Sequence, residues 1–212
     1  MSKTGPGLPP APDFSLERAA GAPGRLVAGV DEAGRGAWAG PVVAAAVVLD
    51  PGTFPAGLND SKKLSAARRE ALYGEILAVA SVGVGIGSVE QIERRNILHA
   101  TMDAMCDAVC ALDPAPDVVL VDGNRTPLLP CDAEAVVGGD ARSLSIAAAS
   151  IIAKVTRDRL MRDLAGAFPG YGWEQNAGYG VPVHKSALES LGVTPHHRRA
   201  YKPIRNILGK LA

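Results

Sequence analysis

From Leu26 onward, apolar and polar positions alternate between two distinct patterns. LVAGVD and VVAAAVVLD are β-branched apolar runs on either side of the glycine-rich EAGRGAWAGP, which reads as two strands joined by an elaborate turn. SKKLSAARREALYGEILAVA offers a capping serine followed by helix formers. SVGVGIGSV, with glycine at alternate positions, predicts a third strand, and a long amphipathic helix follows from about Val89 to Leu112. DVVLVDG is a short, continuously apolar run that ends in an acid, as a buried central strand does. AEAVV suggests a weaker strand. A second long helix is expected from near Arg142 through SIAAASIIAKVTRDRLMRDLAGAF, and from Pro169 the chain is loop-rich with short helices. Strands first in a meander, then alternating with helices, predict a mixed-sheet α/β domain.

Residues 1–24 differ in kind. Pro6, Pro9, Pro10, Pro12 and Pro23, with Gly21 and Gly24, read as a flexible lead-in carrying one short helical turn at FSLERAA. The domain proper is then 25–212, with a helical and basic C-terminal segment at about 169–212.

Composition narrows the classes. The 212 residues are 47% hydrophobic and 21% charged, ordinary for a globular chain able to bury a core without disulfides. Lys and Arg (22) balance Asp and Glu (22), so a nucleic-acid footprint has to be local. From His184 onward six basic residues, Lys185, Arg198, Arg199, Lys202, Arg205 and Lys210, face one acid, Glu189, an excess of +5. Such a patch suits the backbone of a duplex. The two histidines beside it, His196 and His197, read as structural or phosphate-facing. Three cysteines, an odd number, favour a reducing compartment; Cys106 and Cys110 lack a second zinc-spaced pair and read as small core residues. No run reaches the ~18 apolar residues of a membrane span and the N-terminus lacks an apolar signal core, so a soluble, cytoplasmic protein is expected.

Candidate chemistry sits at strand ends. Asp31 and Glu32 end the first strand and Asp122 ends the central one, where open α/β sheets gather their working groups. Consecutive strand residues point to opposite faces, so Asp31 and Glu32 share a site only if the pleat breaks there. Gly34 and Gly36 suit such a break, and Arg35 between them offers a forked donor for phosphate. Clustered carboxylates repel unless a cation neutralises them, and oxygen ligands of this kind suit Mg²⁺ or Mn²⁺. The alternative for each acid alone is a turn or cap residue.

These residues resemble the type 2 ribonuclease H family, the bacterial ribonuclease HII. VAGVDEAGRGAWAGPVVAAAVVL, LNDSKKLS, NILHATMDAM, LVDGN, SIAAASIIAKVTRDRLM and HHRRAYKP occur in the family's order from about Leu26 to Pro203. The resemblance implies a ribonuclease H-like fold with a five-stranded mixed sheet flanked by helices. It implies cleavage of the RNA strand of RNA–DNA hybrids and incision 5′ of single ribonucleotides in duplex DNA. It further implies two-metal phosphodiester hydrolysis giving 3′-hydroxyl and 5′-phosphate ends. Of the family's four metal-holding acids, three map onto Asp31, Glu32 and Asp122. For the fourth, Asp140 and Asp158 compete. On one helix 18 residues separate them by ~27 Å, so they cannot share a site. Asp140, in a Gly-Asp pair just before the helix, matches the family, leaving Asp158 to partner Arg157, Arg159 or a neighbouring helix. Sensing ribose requires contact with the 2′-hydroxyl. The resemblance gives that role to the Gly34-Arg35-Gly36 backbone and to Tyr179 at the ribonucleotide–deoxynucleotide junction. Lys62, Lys63 and Arg198 are expected on phosphates, and the protein is expected to act as a monomer.

Two rivals are weaker. SVGVGIGSV places Ser88 where a dinucleotide fingerprint needs glycine, and no P-loop string occurs. A non-catalytic hybrid-binding module has no need of the acids, which are intact.

Overall fold

A computed structural model describes residues 11–209. Five strands, β1 (Val27–Ala33), β2 (Val42–Val48), β3 (Ser81–Gly87), β4 (Val118–Asp122) and β5 (Asp132–Val136), lie in the order β3-β2-β1-β4-β5. β1, β2 and β3 pair antiparallel, whereas β4 and β5 run parallel to β1. This is the expected five-stranded mixed sheet flanked by helices.

Helices cover both faces. α2 (Ala66–Val79) and α4 (Leu144–Ala167) pack on one, and α3 (Val89–Cys110) on the other. Alternation along β2 divides the core: Ala45 and Val47 meet α2 and α4, while Ala44 and Ala46 meet α3. The alternate glycines of β3 have a packing cause. A Cβ on Gly83 or Gly85 would stand 2.0 Å from the carbonyl oxygen of Ala108 or Ala104, so glycine lets α3 lie directly on the strand. α3 is broken by a kink at Asn96, whose φ is 64° and ψ 166°.

Two expectations need correcting. Residues 1–10 lie outside the described residues, but from Phe14 the expected loose lead-in is docked. Phe14 is in the core, and α1 (Ser15–Ala19) places the fully buried Glu17 against the start of α4. There its Oε1 accepts hydrogen bonds from Ser143 Oγ at 2.6 Å and Ser145 N at 2.8 Å. A carboxylate satisfying orphan donors at a helix N-terminus anchors the segment that composition marked as a linker. The cysteines are not core either: Cys110 is exposed and Cys106 half-buried, because they fall on the outer side of α3.

C-terminal to α4, the short helices α5 (Trp173–Asn176), α6 (Pro182–Leu191) and α7 (Lys202–Leu208) enclose a separate apolar cluster around Trp173, Tyr171 and Leu188. No described helix is long and apolar enough to cross a membrane.

Candidate active site

β1 is central, and its parallel ladder with β4 ends at Val30–Val121, one step before Asp31 and Asp122. Both carboxylates therefore stand where two parallel strands stop being paired, the usual place for a site in an α/β sheet. β5 ends on the same edge and leads through Gly138 to a 3-10 turn, Gly139–Ala141, that carries Asp140. The Gly139 N–H donates to Asp122 Oδ1 at 2.7 Å, tying this turn to the end of β4. One oxygen each of Asp31, Asp122 and Asp140 lies within 4.8 Å of the others.

Glu32 reaches the site differently from the expectation. The ladder with β2 continues unbroken, with Asp31 opposite Ala45 and Glu32 opposite Ala44, so the two acids keep to opposite faces. The break comes later, at Gly34, where φ is +97° and a Cβ would stand 1.9 Å from Arg157 Nε. Asp31 and Glu32 nonetheless line one cleft of about 470 Å³ at the end of the sheet, with Gly34, Arg35, Gly36, Lys62, Asp122 and Tyr179. Glu32 stays outside the three-oxygen group and accepts a hydrogen bond from Arg35 Nη1 at 3.1 Å.

The electrostatics are those of an uncompensated anionic site. Burial, then the charges of Glu32 and Asp122, pushes the Asp31 carboxyl well above the usual carboxylate range. Burial raises Glu32 against the opposing pull of Arg35, and burial with Asp60 and Asp122 raises Asp140 against Lys62. Lys62 Nζ stands 3.5 Å from Asp140, yet the lysine is largely exposed and neutralises little. Hard oxygen donors that resist ionisation until a cation joins them fit a divalent ion such as Mg²⁺ or Mn²⁺.

Beside the acids, three loops are stitched together. Trp38 N donates to Gly178 O at 2.8 Å, Arg198 N to Trp38 O at 2.8 Å, and Gly40 N to His196 O at 2.9 Å. This brings Gly36 to face Tyr179: a Cβ on Gly36 would lie 3.8 Å from Tyr179 Cε1, with no other heavy atom outside its chain neighbours within 4 Å. Arg157 and Arg198 lie fully buried underneath. Arg157 donates to the carbonyls of Pro41, Ala177 and Ala39 at 2.9–3.1 Å. Arg198 donates to those of Gly40, Arg35 and Pro41 at 2.9–3.1 Å. Arg198 is therefore not a duplex contact, since its guanidinium is spent on the underside of the glycine loop. The exposed part of the C-terminal basic patch reduces to Lys185, Arg199, Lys202 and Arg205, with Lys210 outside the described residues.

Other sequence expectations divide. Lys62 lines the cleft; Lys63 is exposed and does not. Asp158 pairs with Lys154 at 2.6 Å rather than with a neighbouring arginine. His197 is buried and structural. The structure adds Ser61, Ser150 and Lys154 to the cleft, with Ser150 Oγ donating to Ser61 Oγ at 2.8 Å. Ser150 and Lys154 are four apart on α4, so helical periodicity could have placed them on one face.

A family model described as Ribonuclease HII matches residues 28–204. The chain is 62% identical over 199 residues to a ribonuclease HII of Ruegeria pomeroyi, covering 93% of this chain and 85% of that protein. It is 60% identical over 201 residues to one of Paracoccus denitrificans, covering 94% and 96%. Among solved structures, the ribonuclease H2 from Pyrococcus horikoshii OT3 matches with a TM-score of 0.77 at 29% identity, over 87% of this chain and 97% of that one. Bst-RNase HIII in complex with Mn²⁺ shares the fold, with a TM-score of 0.70 at 19% identity over 88% and 70%.

Proposed function

This chain belongs to the ribonuclease HII family and is a ribonuclease H endonuclease, and from that premise we propose its substrate and its machinery. It hydrolyses the RNA strand of RNA–DNA hybrids and incises duplex DNA 5′ of a single embedded ribonucleotide, leaving 3′-hydroxyl and 5′-phosphate ends. The observation that carries this reading is the meeting of three carboxylate oxygens, from Asp31, Asp122 and Asp140, within 4.8 Å, the first two lining a cleft shared with a glycine loop and an exposed tyrosine.

Asp31, Asp122 and Asp140, with Glu32 beside them, would hold two divalent cations, Mg²⁺ or Mn²⁺. Bound there, such ions supply an activated water and charge neutralisation at the phosphate. The chain's own residues do the rest. Gly36, which faces Tyr179, leaves the loop backbone open to the ribose 2′-hydroxyl, while Gly34 takes the positive φ that seats the loop on Arg157. Tyr179 stacks on the sugar that follows and contacts the 2′-oxygen. Arg35, which pairs with Glu32 and is half-exposed at the cleft, offers its guanidinium fork to the backbone phosphate. Lys62, poised over Asp140, contacts the scissile phosphate, and Lys63 lies further out on the surface. Lys185, Arg199, Lys202 and Arg205 follow the duplex.

The test is duplex DNA bearing one ribonucleotide, incubated with and without Mg²⁺ or Mn²⁺. A nick 5′ of the ribonucleotide, only with metal, is expected. Lys62→Ala should raise KM several-fold, about 1 kcal/mol for one lost phosphate contact, while Lys63→Ala leaves it near the parent value. An all-DNA duplex cut as readily would overturn the proposal.

A further inference from the structure

Behind Tyr179 runs a buried chain of hydrogen bonds that the chemistry above does not use. Thr194 N and Thr194 Oγ1, the latter a hydroxyl able to donate, lie 3.0 and 2.9 Å from His197 Nδ1, and His197 Nε2 lies 3.0 Å from His184 Nε2. Trp173 Nε1 also approaches His184 Nε2, at 3.1 Å, and His184 Nδ1 lies 3.0 Å from the carbonyl oxygen of Tyr179. Both imidazoles are fully buried.

The ends of this chain fix the proton on each ring. A backbone N–H only donates, so His197 Nδ1 accepts from Thr194 and its proton sits on Nε2. That proton and the indole N–H of Trp173, itself only a donor, share the single lone pair of His184 Nε2, which therefore carries no proton. The proton of His184 is thereby forced onto Nδ1, where it meets the Tyr179 carbonyl, which only accepts. Every bond points the same way, and both rings are neutral. Burial favours that state, lowering His184 and, with the His184 ring beside it, holding His197 down at about 4.

We infer that His184 is a positioning residue for ribose recognition: its Nδ1–H, oriented through His197, fixes the Tyr179 carbonyl and so the ring that faces Gly36. This rests on the reading of Tyr179 given above. A ring displaced by about 1 Å is enough to lose much of a positioned contact.

Two measurements test it. In long-range ¹H–¹⁵N spectra of the unmodified protein at pH 7, both rings should be neutral, with the proton of His184 on Nδ1 and that of His197 on Nε2. A His184 proton on Nε2 overturns the inference without any variant. The second measurement compares kcat/KM on duplex DNA carrying one ribonucleotide with that on a uniform RNA–DNA hybrid. An Asn side chain places its amide nitrogen where Nδ1 sits, whereas Gln places its own near Nε2. His184→Gln should lower the preference for the single-ribonucleotide duplex about tenfold, and His184→Asn should restore it to within about threefold. Equal losses in both variants and on both substrates mean packing alone, and overturn the inference. Tyr179→Ala separates the two readings. If it leaves the preference unchanged, ribose sensing by Tyr179 fails and the inference falls with it. If it abolishes the preference while His184→Gln does not, only the positioning role fails.

Discussion

The same end of the sheet holds two groups of buried or half-buried like charges, and they are treated in opposite ways. Asp31, Asp122 and Asp140 converge with Lys62 beside them, a lysine that is exposed, 3.5 Å from Asp140 and shared with Asp60 at 3.8 Å. Arg157 and Arg198, also buried and of one sign, point their donors at backbone carbonyls of residues 35–41 and 177. Burial lowers both guanidiniums, Arg157 to about 10, which leaves Arg157 charged at neutral pH. The arginine pair is internally satisfied and holds a loop in shape. The acids are left short of a partner, which is how a site waiting for a cation differs from a structural one.

The largest expected effect breaks that contrast on the acid side. Asp31→Asn should reduce turnover about 10³- to 10⁴-fold, the several kcal/mol that a properly held ion contributes. The metal-free variant should at the same time melt a few degrees higher than the parent, because a repelling buried charge has gone. Rapid cleavage by Asp31→Asn, or a lower melting temperature, would remove the acids from the centre of the mechanism.

On the arginine side, Arg198→Met should destabilise the protein by about 3 kcal/mol, the cost of leaving buried carbonyls without donors, or roughly 10 °C in Tm. Arg198→Lys should lose nearly as much, since an ammonium keeps the charge but cannot reach three carbonyls with a planar fork. Thermal melts of the two variants separate charge from hydrogen bonding; full stability of the lysine variant would show that charge alone matters.

The smallest effect sharpens the comparison by pH. Carboxyls whose folded pKa values are raised stabilise the fold while protonated, below the ordinary range near ~4, and that stability is lost as pH rises through the raised values. The metal-free protein should therefore lose stability above pH ~4 relative to Asp31→Asn. Mg²⁺ or Mn²⁺ at about 100 times its Kd should return about 2.7 kcal/mol at pH 7.5, and much less near pH 4, where protons compete. Calorimetry across that range checks the sign, and a metal effect that grew toward low pH would contradict it.

Period and composition along the chain determined the elements and their order. Val-rich runs ending in Asp31 and Asp122, the spaced glycines of β3 and the two long helices are local signals, because side-chain alternation and helix propensity act within a few residues. The docking of Phe14 and Glu17 was hidden behind a proline-rich composition, since a carboxylate capping a helix more than a hundred residues away leaves no local trace. Asp31 and Glu32 were legible as candidate site residues, but not the way they come to line one cleft: only the end of the β1–β4 ladder opens it to both faces of the strand. Arg198 shows the same limit in its charge. In the sequence it counts toward a basic patch; in the fold it faces the carbonyls of residues 35–41. Whether a guanidinium meets water, phosphate or backbone depends on which distant loops close over it, and that is decided by packing rather than by the residue or its neighbours in the chain.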